Sequence, residues 1–202
     1  MAGYFEPLSG GGATILLGQV EISVLHGYAT QLLDLLGPGQ EPAHGDAEAL
    51  LASVFTDQPD EPPTDPVLAR LFPDAYDDPD RPPDDETRAA SAEFRRYTES
   101  DMRARKRGDI LTLIRCLETL TPSEPDGTEL RLNEDECRQW LGALNDLRLA
   151  LGTRLDITGD HDSEAFLQLP DSDPRKPSAM VYLWLSGLQE TLIDSLTGST
   201  DN

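Results

Sequence analysis

Basic residues are scarce in this chain. Sixteen lysines and arginines stand against 38 aspartates and glutamates, giving a formal net charge of −22 at pH 7. Only Lys106 and Lys176 are lysines. Like charges repel, so the chain as a whole is expected to stay away from DNA, RNA and anionic lipid, although salt screens that repulsion beyond about 10 Å at 0.1 M. Cysteine is scarcer still, at two residues, which excludes a structural disulfide framework. No apolar run approaches the ~20 residues that a bilayer span needs. The opening Met1–Pro7 lacks the basic and apolar regions of a signal peptide, so a cytoplasmic location is expected.

Catalytic signatures are missing as well. There is no Gly-x-Ser-x-Gly and no local Cys–His–acid constellation, and the three histidines His26, His44 and His161 do not sit at metal-ligand spacing. The glycines of Ser9–Gly12 lack the Gly-Lys-Ser/Thr ending of a phosphate loop, so they read as a turn. The loop Asp156–Glu164 faintly resembles a calcium loop, but His161 stands at its sixth position and Leu167 at its twelfth. No enzyme activity, no metal and no cofactor are expected.

What is present is mostly helical periodicity. Residues 4–8 and 13–18 suggest a hairpin around the glycine turn, and Thr128–Leu132 is a strand candidate to pair with it. Apolar residues at three- and four-residue steps predict helices over Gln19–Leu36, from Asp84 or Asp85 to Leu120, from Asn133 to about Leu155, and over Pro177–Leu196. In the second of these, Ala90, Phe94, Tyr97 and Ala104 mark one face, with Arg88, Arg95, Arg96, Arg103, Lys106 and Arg107 opposite. Beyond Gly108 the stripe Ile110, Leu113, Ile114, Leu117 would fall on that basic face. A break near Gly108–Asp109, with Asp109 as a fresh N-cap, is therefore expected. The stretch Gln40–Asp85 is rich in proline and acids, with short helical patterns at Asp46–Phe55 and Pro66–Phe72, and is expected to be partly flexible. Together these elements predict a single domain, 1–202, with a mostly α (α+β) fold: a bundle-like helical body carrying a small antiparallel β element.

Two features suggest contact chemistry. The six cations on the basic face are candidates for binding an acidic partner. The alternative is a solvated face on which Glu99 bridges Arg95, Arg96 and Arg103. Cys116 and Cys137 are candidates for a redox switch. If the helices carrying them fold back through residues 121–132, the sulfurs can approach, and closing that loop would constrain the chain by roughly 3 kcal/mol. The alternative is two ordinary core cysteines, because pairing needs Cα atoms within about 7 Å.

Four segments carry a resemblance: Leu71-Phe-Pro-Asp-Ala-Tyr76; Glu93-Phe-Arg-Arg-Tyr-Thr-Glu-Ser-Asp101 running into Arg103–Arg107; Trp140-Leu-Gly-Ala-Leu-Asn-Asp-Leu-Arg-Leu-Ala-Leu-Gly-Thr-Arg154; and Tyr182-Leu-Trp-Leu-Ser-Gly-Leu-Gln-Glu-Thr-Leu192. With the hairpin and first helix they cover most of the chain. They resemble an actinobacterial family of oxidative-stress regulators, the AosR-like family, formerly a domain of unknown function. The resemblance implies a cytoplasmic regulator that senses oxidants through thiols and acts on transcription with a stress sigma factor. It also implies genes encoded beside the adaptor of the Clp protease, so a non-redox adaptor or scaffold linked to that protease is the alternative. Carrying the thiol switch over requires the family's cysteines to correspond to Cys116 and Cys137. Given the charge, action on transcription is expected to run through a protein partner rather than through direct DNA binding.

Overall fold

The computed structural model describes residues 3–38, 60–76, 82–120, 127–157, 159 and 166–198. The helical pattern at 46–55, the turn at 122–126 and most of the acidic loop 156–164 lie outside the described residues.

The β element forms where expected. Strand β1 (Glu6–Pro7) pairs antiparallel with β2 (Ala13–Leu17), and β2 pairs antiparallel with β3 (Thr128–Leu132), giving the order β1-β2-β3. Alternation decides which side faces in: Ala13, Ile15 and Leu17 on β2 and Leu130 and Leu132 on β3 are buried. The turn closes through Leu8 and Gly12. Gly12 adopts a φ of 86°, and a Cβ there would lie 2.1 Å from the Leu132 carbonyl oxygen. Only glycine fits.

The five helices among the described residues follow from the sequence signals. Helix α1 (Gln19–Leu36) begins at Gly18, whose N–H donates to the Glu21 carboxylate at 2.7 Å. Helix α2 (Pro66–Leu71) starts with Asp65 accepting from the backbone of Val67 and Leu68. Helix α3 (Asp85–Glu118) is capped by Asp84, and α4 (Glu134–Arg154) by the Asn133/Glu136 capping box. Helix α5 (Lys176–Thr197) carries Pro177 in its first turn. The fold is mostly α with a three-stranded antiparallel sheet.

Helix α4 is the hub, packing against α1, α2, α3, α5 and β3. Its Trp140 is wholly buried and meets Phe5 edge to face at 5.9 Å. Residues of β2, β3 and all five helices contribute to one connected apolar core. No helix among the described residues is long and apolar enough to cross a membrane.

One expectation about local structure fails. Helix α3 runs unbroken through Gly108 and Asp109, and Asp109 is not an N-cap. A break would be needed only if the face bearing Phe94 and Tyr97 pointed inward. Instead Phe94 and Tyr97 are exposed, while Arg95 and Glu99 are buried. With the basic face inward, the later stripe of Ile110, Leu113, Ile114 and Leu117 continues it on the same side. No kink is needed.

Candidate functional site

Cys116 lies two residues before the end of α3, and Cys137 lies in the first turn of α4. Both thiols are free, Cys116 half-buried and Cys137 fully buried. They occupy the same end of the α3–α4 pair. Trp140, one turn beyond Cys137, reaches the Cys116 thiol, and Glu136 acts electrostatically on both sulfurs. The Trp140 indole N–H is buried without a conventional hydrogen bond and favours the charged form of Cys116. Burial is the larger effect and pushes the Cys116 thiol up, with Glu136 adding to it and Arg115 opposing it. Burial raises Cys137 too, against the backbone N–H of Ala13, and its thiol points at the Leu132 carbonyl at 3.9 Å. Arg138, adjacent to Cys137, is turned to Glu134 and Asp135. Both thiols are therefore protonated and sheltered in this state.

The six cations expected as one contact surface divide in two. Arg95 is 4% exposed and donates to Glu99 at 2.5 Å, to Asp74 at 2.9 Å and to the Phe72 carbonyl at 2.9 Å. Burial works against its charge, but Asp74 and Glu99 overcome this and hold the guanidinium above its ordinary range. Arg103 takes the other Glu99 oxygen at 2.6 Å, stacks over the Phe72 ring at 4.5 Å and donates to the Leu36 carbonyl. Arg107 donates to the carbonyls of Leu33 and Gly37. Helix α1 has no basic residue in its own last turn, so Arg103 and Arg107 supply from α3 the positive ends that its free carbonyls need. Lys106 is paired with the buried Asp146 at 2.6 Å. Only Arg88 and Arg96 remain largely exposed, paired with Asp85 and Asp60 respectively. Arg95, Arg103, Lys106 and Arg107 are thus internal fasteners rather than a partner-facing surface. Arg95 is buried and the other three are half-buried, balanced from inside by Glu99, Asp146 and helix-end carbonyls.

Lys106 and Asp146 border a polar pocket of about 370 Å³ between α3 and α4, lined also by Arg105, Asp109, Arg138, Gln139, Gly142 and Asn145. Burial, assisted by the charge of Asp146, raises the Asp109 carboxyl; burial also raises Asp146, against the pull of Lys106. Asp109 fits because position 142 is glycine: a Cβ there would lie 2.6 Å from the Asp109 carboxylate. These groups were not legible as a site. Their signal was indirect, an aspartate sharing a helical face with Gly142, Ala143 and Ala150, where small residues let helices approach. No group of three or more metal-ligating side chains occurs among the described residues. Of the histidines, His26 is described and faces Glu118 at 3.5 Å across the surface.

Comparison with known proteins adds what the geometry lacks. The chain is similar to proteins named oxidative stress regulator AosR from Mycobacterium bovis and from Mycobacterium tuberculosis. Each is 33% identical over 181 residues, covering 89% of this chain and 79% of the relative. No solved structure matches. A model of the family described as a domain of unknown function, DUF2017, matches residues 2–196, and the chain belongs to that family.

Proposed function

We propose that this protein is a cytoplasmic, non-enzymatic regulator of the oxidative-stress response that acts through protein contact. The observation carrying the proposal is the 33% identity to the AosR regulators across 89% of the chain. The net charge of −22 disfavours independent binding to nucleic acid, so action on transcription runs through a protein partner, a stress sigma factor being the partner that the family resemblance implies.

The switch in this reading is the Cys116/Cys137 pair. Peroxide takes two electrons from the two thiols, their two protons leave with its oxygens as two molecules of water, and a sulfur–sulfur bond forms. The two thiols sit at the same end of the α3–α4 pair, and Trp140 supplies Cys116 with an N–H that favours its thiolate. A second reading, a non-redox adaptor or scaffold linked to Clp proteolysis, draws support from the burial that pushes both thiols up.

Mass spectrometry after mild peroxide, with and without reductant, separates the two. A Cys116–Cys137 crosslink that reductant reverses is the expected result for the switch. Recovery of both cysteines as unmodified thiols would leave the adaptor reading standing.

A further inference from the structure

The first half of α3 is inverted relative to an ordinary surface helix. It turns its ion pairs inward and its aromatics outward: Phe94 is 42% exposed and Tyr97 73%. Tyr76, 53% exposed, meets Phe94 edge to face at 6.1 Å and extends the patch beyond the helix. Burying Arg95 and Glu99 while exposing Phe94 and Tyr97 contradicts the usual division between an apolar inner and a polar outer face. Large exposed aromatic clusters mark interaction surfaces, and aromatics are the residues that anchor them.

The charges around the patch select its occupant. At 100° per residue, Glu86, Glu93 and Asp101 share the outward face with Ala90, Phe94 and Tyr97. None of these three carboxylates forms an ion pair among the described residues. Arg96, off to one side, is engaged with Asp60, and Arg105 at the far end lies in the field of Asp109 and Asp146. A second copy of the chain would bring another −22 to the contact, which disfavours self-association. The complement is a surface with an apolar stripe flanked by lysine or arginine, whose cations can also lie over the faces of Tyr97 and Tyr76.

We propose that the outward face of α3 built on Phe94 and Tyr97, with Tyr76, is the docking site for a basic amphipathic helix of a partner protein. The proposal rests on the reading of a protein that works by contact, and it does not depend on the thiol switch.

The test uses the full chain and a labelled peptide of about 18 leucine and lysine residues patterned as an amphipathic helix, with a leucine–glutamate peptide as control. Binding is followed by fluorescence anisotropy at about 0.15 M salt, where screening suppresses loose attraction to an acidic surface. The expected result is binding of the lysine peptide only, weakened at least about tenfold by Phe94→Ser/Tyr97→Ser and measurably by Tyr97→Ser alone, with unchanged thermal melting. Equal binding by wild type and both variants would place the peptide elsewhere and overturn the proposal. So would a dimer in sedimentation that the double variant abolishes, since the occupant would then be a second copy. Repeating the titration with Cys116→Ser/Cys137→Ser keeps the two ideas apart. Retained binding there, beside absence of a peroxide crosslink in the wild type, leaves the docking site standing without the switch. A crosslink without peptide binding does the reverse.

Discussion

Arg95 and Glu99 form an ion pair at 2.5 Å on one turn of α3, with both side chains turned into the protein. Their burial ties three parts of the chain together. Arg95 holds the Phe72–Asp74 segment, and Glu99 passes its second oxygen to Arg103, which reaches the C-terminal carbonyls of α1. An exposed pair at this spacing contributes a few tenths of a kcal/mol, whereas removing one partner of a buried pair leaves an uncompensated charge.

Glu99→Gln is therefore expected to be far more damaging than its conservative shape suggests. Glu99 accepts one hydrogen bond from Arg95 and one from Arg103, so a neutral amide removes the counter-charge both share and turns one acceptor into a donor facing a cation. Loss of about 3–5 kcal/mol of unfolding free energy is expected in urea denaturation. A change under about 1 kcal/mol would show that Asp74 and solvent suffice to hold both guanidinium groups.

Much of this fold was legible from pattern, and the place where pattern failed has a physical cause. The caps at Asp84 and Asn133, the hairpin and its pairing with Thr128–Leu132 all followed from local chemistry that tertiary contacts reinforce. Helix α3 did not, because side-chain type does not reveal which of its faces is inside. Arginine at 95 and glutamate at 99 read as solvent-facing, yet each supplies the other's counter-charge, so the pair enters the core together. The i, i+4 spacing from Arg95 to Glu99 and from Glu99 to Arg103 was visible. What it could not reveal was Phe72, from a segment some 23 residues earlier, lying beneath Arg103 and giving its carbonyl to Arg95. The two cysteines were equally visible, but their shelter is set by long-range packing.

Asp109 leads to a prediction about pH. Burial, with the charge of Asp146 beside it, raises its carboxyl in the folded protein, while Arg105 and Lys106 partly oppose this. A carboxyl raised on folding contributes stability that is fully present below its unfolded value of 3.8 and is lost as pH rises through the folded value. At pH 7 the charged form is thus a liability. Asp109→Asn, which resembles the protonated acid, is expected to raise the melting temperature at pH 7 and to have no such advantage near pH 3. Scanning calorimetry at the two pH values checks the sign, and a lower melting temperature at pH 7 would mean that Arg105 and Lys106 dominate.

The thiols should differ in accessibility. Cys137 is 0% exposed, and Cys116 is half-buried. A thiol-specific chromophoric reagent should modify Cys116 slowly and Cys137 only on the timescale of opening of the native state, with both reacting at once in denaturant. Prompt reaction of Cys137 under native conditions would require the junction of β3 and α4 to open on its own.

Gly12 offers the sharpest test of the sheet. Its φ of 86° lies where side chains are disfavoured, and a Cβ would collide with the Leu132 carbonyl, a backbone atom that cannot swing aside. Leu132 is itself in the β3 ladder, paired with Ala13, and its carbonyl faces the Cys137 thiol. Relief of the clash must therefore displace β2 from β3 or shift the start of α4. Gly12→Ala is expected to cost about 2–4 kcal/mol, more than the ~1 kcal/mol of a typical surface change, because strain and lost pairing add. Hydrogen exchange should place the damage: faster exchange at Ala13–Leu17 and Leu130–Leu132, with α5 amides little changed. If Cys137 also becomes reactive in this variant, the β2–β3 junction is what shelters its thiol.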